Sequence, residues 1–137
     1  ASDFCPSIPM KYDSWEEDST YFSSTTDQVI LMKHITPKGI YYTVKLTGFG
    51  QTINVDGKGL TILLNDGSKI ISQFAEIKVD PISNGYTYSS EKKLTDQELE
   101  FLLKHGVVNF KLYNKSTDVD SPEAAKILKL FNCVYSK

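Results

Sequence analysis

Arginine is missing altogether: all fifteen basic residues are Lys. A guanidinium is a planar fork of donors suited to bidentate capture of phosphate, carboxylate or guanine, whereas Lys offers a point charge. With no Arg, no basic stripe and a net charge of −2, sequence-specific nucleic-acid binding is set aside. Codon bias in an AT-rich genome explains the missing Arg as well, and the conclusion holds under either cause. Long apolar runs are missing too. None approaches the roughly 20 residues that a membrane-spanning helix needs. No basic-then-apolar leader opens the sequence, so any signal peptide is expected to have been removed.

Catalytic signatures are equally scarce. The only histidines are His34, inside an expected strand, and His105, in the last turn of an expected helix, where an imidazole favourably meets the helix dipole. Neither shows the partner that a triad or a metal site requires. Gly-x-Ser-x-Gly and His-Glu-x-x-His are absent, and no Cys has a nearby His. Gly48-Phe49-Gly50 and Gly57-Lys58-Gly59 lack the strand-to-helix context and the Lys-Ser/Thr ending of a phosphate loop, and read as turns between strands. Asp118, Asp120 and Glu123 look like part of a calcium loop, but Pro122 and a missing glycine break the pattern. Helix capping and dipole complementation account for them. No catalytic residue, metal ligand or cofactor is therefore expected. Carboxylates that converge only in space are the one route left to an enzyme, with Glu16 and Glu17 or Asp18 the nearest candidates.

Cysteine is used twice, at Cys5 and Cys133. Three readings stand: two buried free thiols, a disulfide joining the N-terminal segment to the last helix, or a lipid anchor at Cys5. Ser2-Asp3-Phe4 lacks the small-residue, Leu-containing pattern such anchoring uses. A disulfide implies an oxidising compartment. Eight Tyr and one Trp supply the remaining functional signal. Aromatics suit strands and cross-strand pairs in their own right, but Trp15, Tyr41, Tyr86 and Tyr88 are the ones that a binding surface for sugar rings or a partner protein would use.

A chain of 137 residues is the size of one domain and buries about two-thirds of its unfolded surface. Residues 1–27 read as irregular, interrupted by Pro6 and Pro9, with an acidic cluster around Trp15 and either an edge strand or a Ser/Thr-rich loop over 19–26. Residues 28–93 read as antiparallel strands. Val29 to Ile35 stops at Thr36-Pro37-Lys38-Gly39, and Ile40, Tyr42, Val44 and Leu46 alternate with polar residues until Gly48 and Gly50. Ile53 and Val55 mark a short piece, and Leu60, Ile62 and Leu64 lead to the hairpin signal Asn65-Asp66-Gly67. The return strand places Ile71, Gln73, Ala75, Ile77 and Val79 on one face, Ile70 and Phe74 on the other, and closes at Asp80-Pro81. Residues 94–137 read as helix, strand, helix: a Thr95–Glu98 capping box with a Leu94–Leu99 staple, a stop at Gly106, a strand through Val108, Phe110 and Leu112, and a helix capped by Ser121. This order predicts an α+β domain with a mainly antiparallel, curved or barrel-like sheet of about 6–8 strands and two short helices near the C-terminus.

The segments LLNDGSKI (63–70), LTDQELEFLLKHGVVNFKLYN (94–114) and AAKILKLFNCV (124–134) resemble uncharacterised small domains of secreted or envelope proteins from Bacteroidetes. The resemblance covers about residues 40–134 and rests on structural punctuation. It implies an extracytoplasmic setting (periplasmic, cell-surface or secreted) and transfers no catalytic residue. The functional expectation is a non-enzymatic extracytoplasmic binding or accessory module for a protein or glycan. A hydrolase or lyase with spatially convergent carboxylates and a structural envelope or assembly subunit pairing through an edge strand are the alternatives.

Overall fold

The computed structural model describes residues 5–51 and 57–137. The piece expected at Ile53 and Val55 lies outside the described residues. The clearest element is the hairpin at the centre of the larger sheet. Thr36-Pro37-Lys38-Gly39 turns Val29–Thr36 (β3) into Gly39–Gly50 (β4). With Thr36 opposite Gly39, the register pairs His34 with Tyr41 and Val29 with Leu46. Alternation then does what period two requires. Val29, Leu31, Val44 and Leu46 are fully buried, and Tyr41, Thr43, Lys45 and Thr47 lie on the other face.

Two strands precede this hairpin: Met10–Asp13 (β1), where irregular chain was expected, and Asp18–Phe22 (β2), on the stretch expected as an edge strand or a Ser/Thr-rich loop, which is an inner strand between β1 and β3. The prolines end before Met10, and Thr20, Tyr21 and Phe22 have the β-branched or aromatic character that fits an edge offered by β3. The expected long return strand is also two strands. Lys69–Ser72 (β6) pairs with Leu60–Leu64 (β5), whereas Lys78–Ile82 (β7) crosses to the other sheet and pairs with Gly85–Lys93 (β8). The faces are corrected with it. The Asn65-Asp66-Gly67 turn sets Ile70 opposite the buried Ile62, so Ile70 is core while Ile71 and Phe74 are exposed. Pro81 sits within β7, an edge strand, where its missing amide costs no ladder bond.

After Asp96–Lys104 (α1) come Val107–Leu112 (β9), an unexpected polar strand Lys115–Asp118 (β10), and Ser121–Tyr135 (α2). The α1 capping box is present in both directions, and both staple residues, Leu94 and Leu99, are buried. The α1 cap residue at the far end is His105 in extended conformation, so Gly106 follows the stop instead of making it. The cap of α2 is Asp120, whose carboxylate accepts from the Glu123 amide at 2.9 Å. Ser121 is the first helical residue, because a carboxylate one residue earlier already reaches the free amide.

The result is an α+β fold of ten strands, among the described residues, in two antiparallel sheets. The larger, ordered β1-β2-β3-β4-β8-β7, curls into a half-barrel. The smaller is ordered β10-β9-β5-β6. One apolar cluster joins them, with Leu31 and Leu46 from the first sheet, Ile62 and Phe110 from the second, and Ile127 and Phe131 from α2. Each such side chain contributes about 1.5–3 kcal/mol through burial. Gly48 and Gly50 belong to this core geometry. Both lie inside β4, where turns were expected. Gly48 stands opposite Tyr88, and a Cβ on Gly50 would come within 2.7 Å of the Tyr88 hydroxyl. Gly50 makes room for the ring, whereas a Cβ on Gly48 would meet Thr117 Oγ1 at 3.3 Å.

Two ties hold the end of α2. Cys5 and Cys133 are joined as a disulfide, with Cα atoms 5.7 Å apart. On β3, the buried Lys33 donates to the carbonyls of Tyr135 at 3.1 Å and Lys137 at 3.0 Å. Its burial holds the ammonium pKa below the ordinary value. No basic residue of α2 itself occupies the last turn, so β3 supplies the charge that the carbonyl end of the helix favours.

Candidate functional site

Pairing of β2 with β3 brings the β1–β2 turn alongside the β3–β4 turn at one end of the larger sheet. Local chemistry stiffens both. Asp13 Oδ1 accepts from the amides of Trp15 at 2.9 Å and Glu16 at 3.3 Å, the short side-chain-to-backbone closure that Asp favours in turns. Glu17 takes a left-handed φ of 55° to bring the chain back. In the facing turn, Thr36 Oγ1 donates to the Gly39 carbonyl at 2.9 Å and accepts from the Lys38 amide at 3.1 Å. Trp15 projects from the first turn 93 % exposed. An open cleft of about 520 Å³ lies by these turns, with Glu16, Asp18, Lys38, Tyr41 and Lys93 in its lining.

A cross-strand row holds the floor of this end. Tyr41 stacks on His34 with centroids 4.4 Å apart and planes 12° from parallel. His34 Nδ1 lies 3.3 Å from Thr20 Oγ1, and Nε2 lies 2.9 Å from Thr43 Oγ1. Both ring nitrogens therefore have a hydroxyl partner, which fixes the ring and through it the tyrosine. Burial holds the His34 pKa below 6.5, against Glu91 and then Asp18, whose charges raise it. Lys93 Nζ lies 5.0 Å from the Tyr41 ring centroid, so an ammonium already sits against the aromatic surface. The cleft thus combines a fixed aromatic ring, two carboxylates and two ammonium groups, and the Trp15 indole projects from the adjoining turn outside its lining. Such a set can stack a flat or apolar ring face and hydrogen-bond its substituents in either polarity.

Only part of the expected aromatic surface is here. Trp15 and Tyr41 belong to this end. Tyr86 is half-buried against the core at the opposite end of β8, opposite Gly50. Tyr88 is fully buried and cannot meet a ligand. It points inward because its position opposite Gly48 falls on the same face as Leu46 and Val44. Lys38, Lys93 and the His34–Tyr41 stack went unrecognised in the sequence. The turn did contain the stack's register, since a Thr36–Gly39 closure dictates the His34–Tyr41 pairing.

The other expected groups are structurally engaged. His105 Nε2 lies 3.4 Å from Asp66 Oδ2, and Ser68, bonded through both hydroxyl and amide, holds the Asp66 carboxyl below its usual range. Asp118 accepts from Asn109, and Asp120 caps α2. No helix among the described residues is long and apolar enough to cross a membrane. No protein-family model matches the chain, and searches of curated proteins and of solved structures returned no significant match.

Proposed function

We propose that the protein is a non-enzymatic extracytoplasmic binding module that holds a short glycan at the Trp15–Tyr41 end of its larger sheet. The observation behind this reading is the 93 % exposed indole on a turn fixed by Asp13, beside a cleft that contains Tyr41, Glu16, Asp18 and Lys93. A pyranose presents an apolar face that stacks on an aromatic ring and a rim of hydroxyls that pair with carboxylate and ammonium groups. Leaving a large indole in water has no folding benefit, which favours a ligand role for it. The Cys5–Cys133 bond is consistent with an oxidising compartment, in line with the resemblance to envelope and secreted domains. The chain has no Arg, which supports a ligand other than nucleic acid.

The test uses the single Trp. Its fluorescence is expected to respond saturably to an oligosaccharide from an array panel; Tyr41→Ala should abolish that response, and Trp15→Ala, which removes the fluorophore, should abolish the array signal itself, both without changing the fold. An array and an envelope-lysate pull-down that both return nothing above background would sink the reading. One observation favours a glycoside hydrolase instead: Glu16 and Asp18 line the same cleft. Release of reducing ends that disappears in Glu16→Gln and in Asp18→Asn would decide for the enzyme.

A further inference from the structure

The larger sheet ends, among the described residues, on β1, and all four residues of that strand are exposed. The pairing on its inner side shows which backbone groups face outward. The Phe22 amide donates to the Pro9 carbonyl at 3.0 Å, so Pro9 faces β2. Hydrogen-bonded and non-hydrogen-bonded positions alternate along an antiparallel pair, which makes Lys11 and Asp13 face β2 as well, opposite Thr20 and Asp18. Met10 and Tyr12 therefore turn their amides and carbonyls away from the sheet, a template for another strand. The other edges are less open. β7 contains Pro81, and β10 lies against β4, with Thr117 beside Gly48. β6 carries Lys69 without an acid and bends away at Ser72, whose carbonyl accepts from the Ala75 amide.

Lys11 and Asp13 lie on the face of β1 opposite Met10 and Tyr12, and neither makes an ion pair among the described residues. The register instead sets Asp13 against Asp18, a like-charge pair that weakens a ladder. We propose that β1 pairs antiparallel with β1 of a second copy, about a two-fold axis through Tyr12, so that the two larger sheets become continuous. Tyr12 then exchanges both backbone hydrogen bonds with the partner's Tyr12. Lys11 comes opposite the partner's Asp13, and Asp13 opposite the partner's Lys11, in the closer non-hydrogen-bonded positions. Charge selects this register. An axis through Lys11 sets two lysines against each other, one through Asp13 sets two aspartates, and one through Met10 leaves all the charges unmatched. On the other face, Met10 and Tyr12, which are 52 % and 56 % exposed in the single chain, form one apolar stripe across the axis. No β1 residue lines the Trp15–Tyr41 cleft, so the pairing does not rest on that site's role. One short strand from each copy buries little surface, which places the dimer among weak interfaces of less than about 1,200 Å².

Sedimentation equilibrium of the intact protein, at concentrations up to about 1 mM, tests this. A concentration-dependent dimer is expected. Tyr12→Pro removes an amide that faces outward, so the β1–β2 ladder keeps its bonds, and association should weaken at least tenfold. Lys11→Glu sets a carboxylate against the partner's Asp13 on both sides of the axis and should also weaken association at least tenfold. The Lys11 arm keeps the test valid if the proline variant folds poorly, since it leaves the backbone unchanged. A protein that stays monomeric at the highest concentration would overturn the proposal. So would a dimer that Lys11→Glu leaves as tight as before, because the contact then lies at another edge or face.

Discussion

Reduction of the Cys5–Cys133 disulfide should lower stability by as much as about 5 kcal/mol without dismantling the native sheets. The two residues are 128 positions apart, so the bond closes nearly the whole chain. In the chain-entropy model, a loop of that size restricts the unfolded ensemble by about 17 cal/mol/K, or about 5 kcal/mol at 25 °C. Measured values are often smaller, and two local contacts show why the native state should survive. Ile8 is buried at 9 % exposure, and the Phe22 amide donates to the Pro9 carbonyl at 3.0 Å. Segment 5–9 thus keeps a foothold when the covalent tie is cut. Urea unfolding with and without a phosphine reductant measures the effect. With a slope of about 2 kcal/mol/M, the full loss moves the midpoint by about 2.5 M. The reduced chain should also show the steeper slope, because its unfolded ensemble is more expanded. The Cys5→Ser/Cys133→Ala double variant should reproduce the reduced behaviour in the absence of reductant. Two free thiols in denatured, unreduced protein, or coincident midpoints in the two urea curves, would refute the reasoning.

Other perturbations have equally definite outcomes. His34 has a folded-state pKa below its unfolded 6.5, so the unfolded chain binds more protons through that window. Its contribution to stability is intact above 6.5 and falls as pH drops through and below that value; His34→Gln should flatten the decline in urea midpoint between pH 7.5 and 5, and an unchanged slope would count against the buried neutral ring. Thr95→Ala removes the cap of α1, whose hydroxyl meets the Glu98 amide at 3.2 Å, and should cost about 1 kcal/mol in the same assay. The Glu98 carboxyl is pushed up by burial but more than offset by Lys92, 2.7 Å away, and by Thr95. Its folded pKa therefore lies below 4.5, and its contribution, complete above that value, is lost as acid titrates it through the lower folded pKa; Lys92→Met should shrink that loss. Gly50→Ala drives a methyl into the Tyr88 ring and should cost about 1–3 kcal/mol through overpacking, part of it recovered in Gly50→Ala/Tyr88→Leu.

Legibility in the sequence followed the kind of signal each element carries. The α1 capping box, the Asn65-Asp66-Gly67 hairpin and the alternation of Ile40 to Leu46 are local, and each settles backbone geometry within a few residues. The β6–β7 break is not local. Residues 70–79 look like one alternating strand until pairing assigns Ile70 to Ile62 and Val79 to Tyr88, in different sheets. Polar Lys115–Asp118 becomes a strand only because β9 offers an edge and Tyr113 takes the left-handed turn position, at φ 58°. The candidate site divides along the same line. Trp15 and Tyr41 are aromatic and nameable from sequence, and so is Tyr88, which the same criterion wrongly placed on the surface. Tyr88 faces the core because its cross-strand position puts it on the face of Val44 and Leu46, whereas Tyr41 falls on the opposite face. Lys93 and His34 meet Tyr41 through register, which composition does not contain.

The same disulfide has a topological consequence. Between Cys5 and Cys133 the backbone and the sulfur bridge form a covalent ring, so a single peptide cleavage anywhere within it opens the ring without separating the pieces. A nick in any surface turn, including the Trp15 tip, leaves one particle of unchanged mass apart from the water added. Under proteolysis, one cut within the ring is damage the molecule can carry; only a second cut, or loss of the bridge, lets a part of the ring leave.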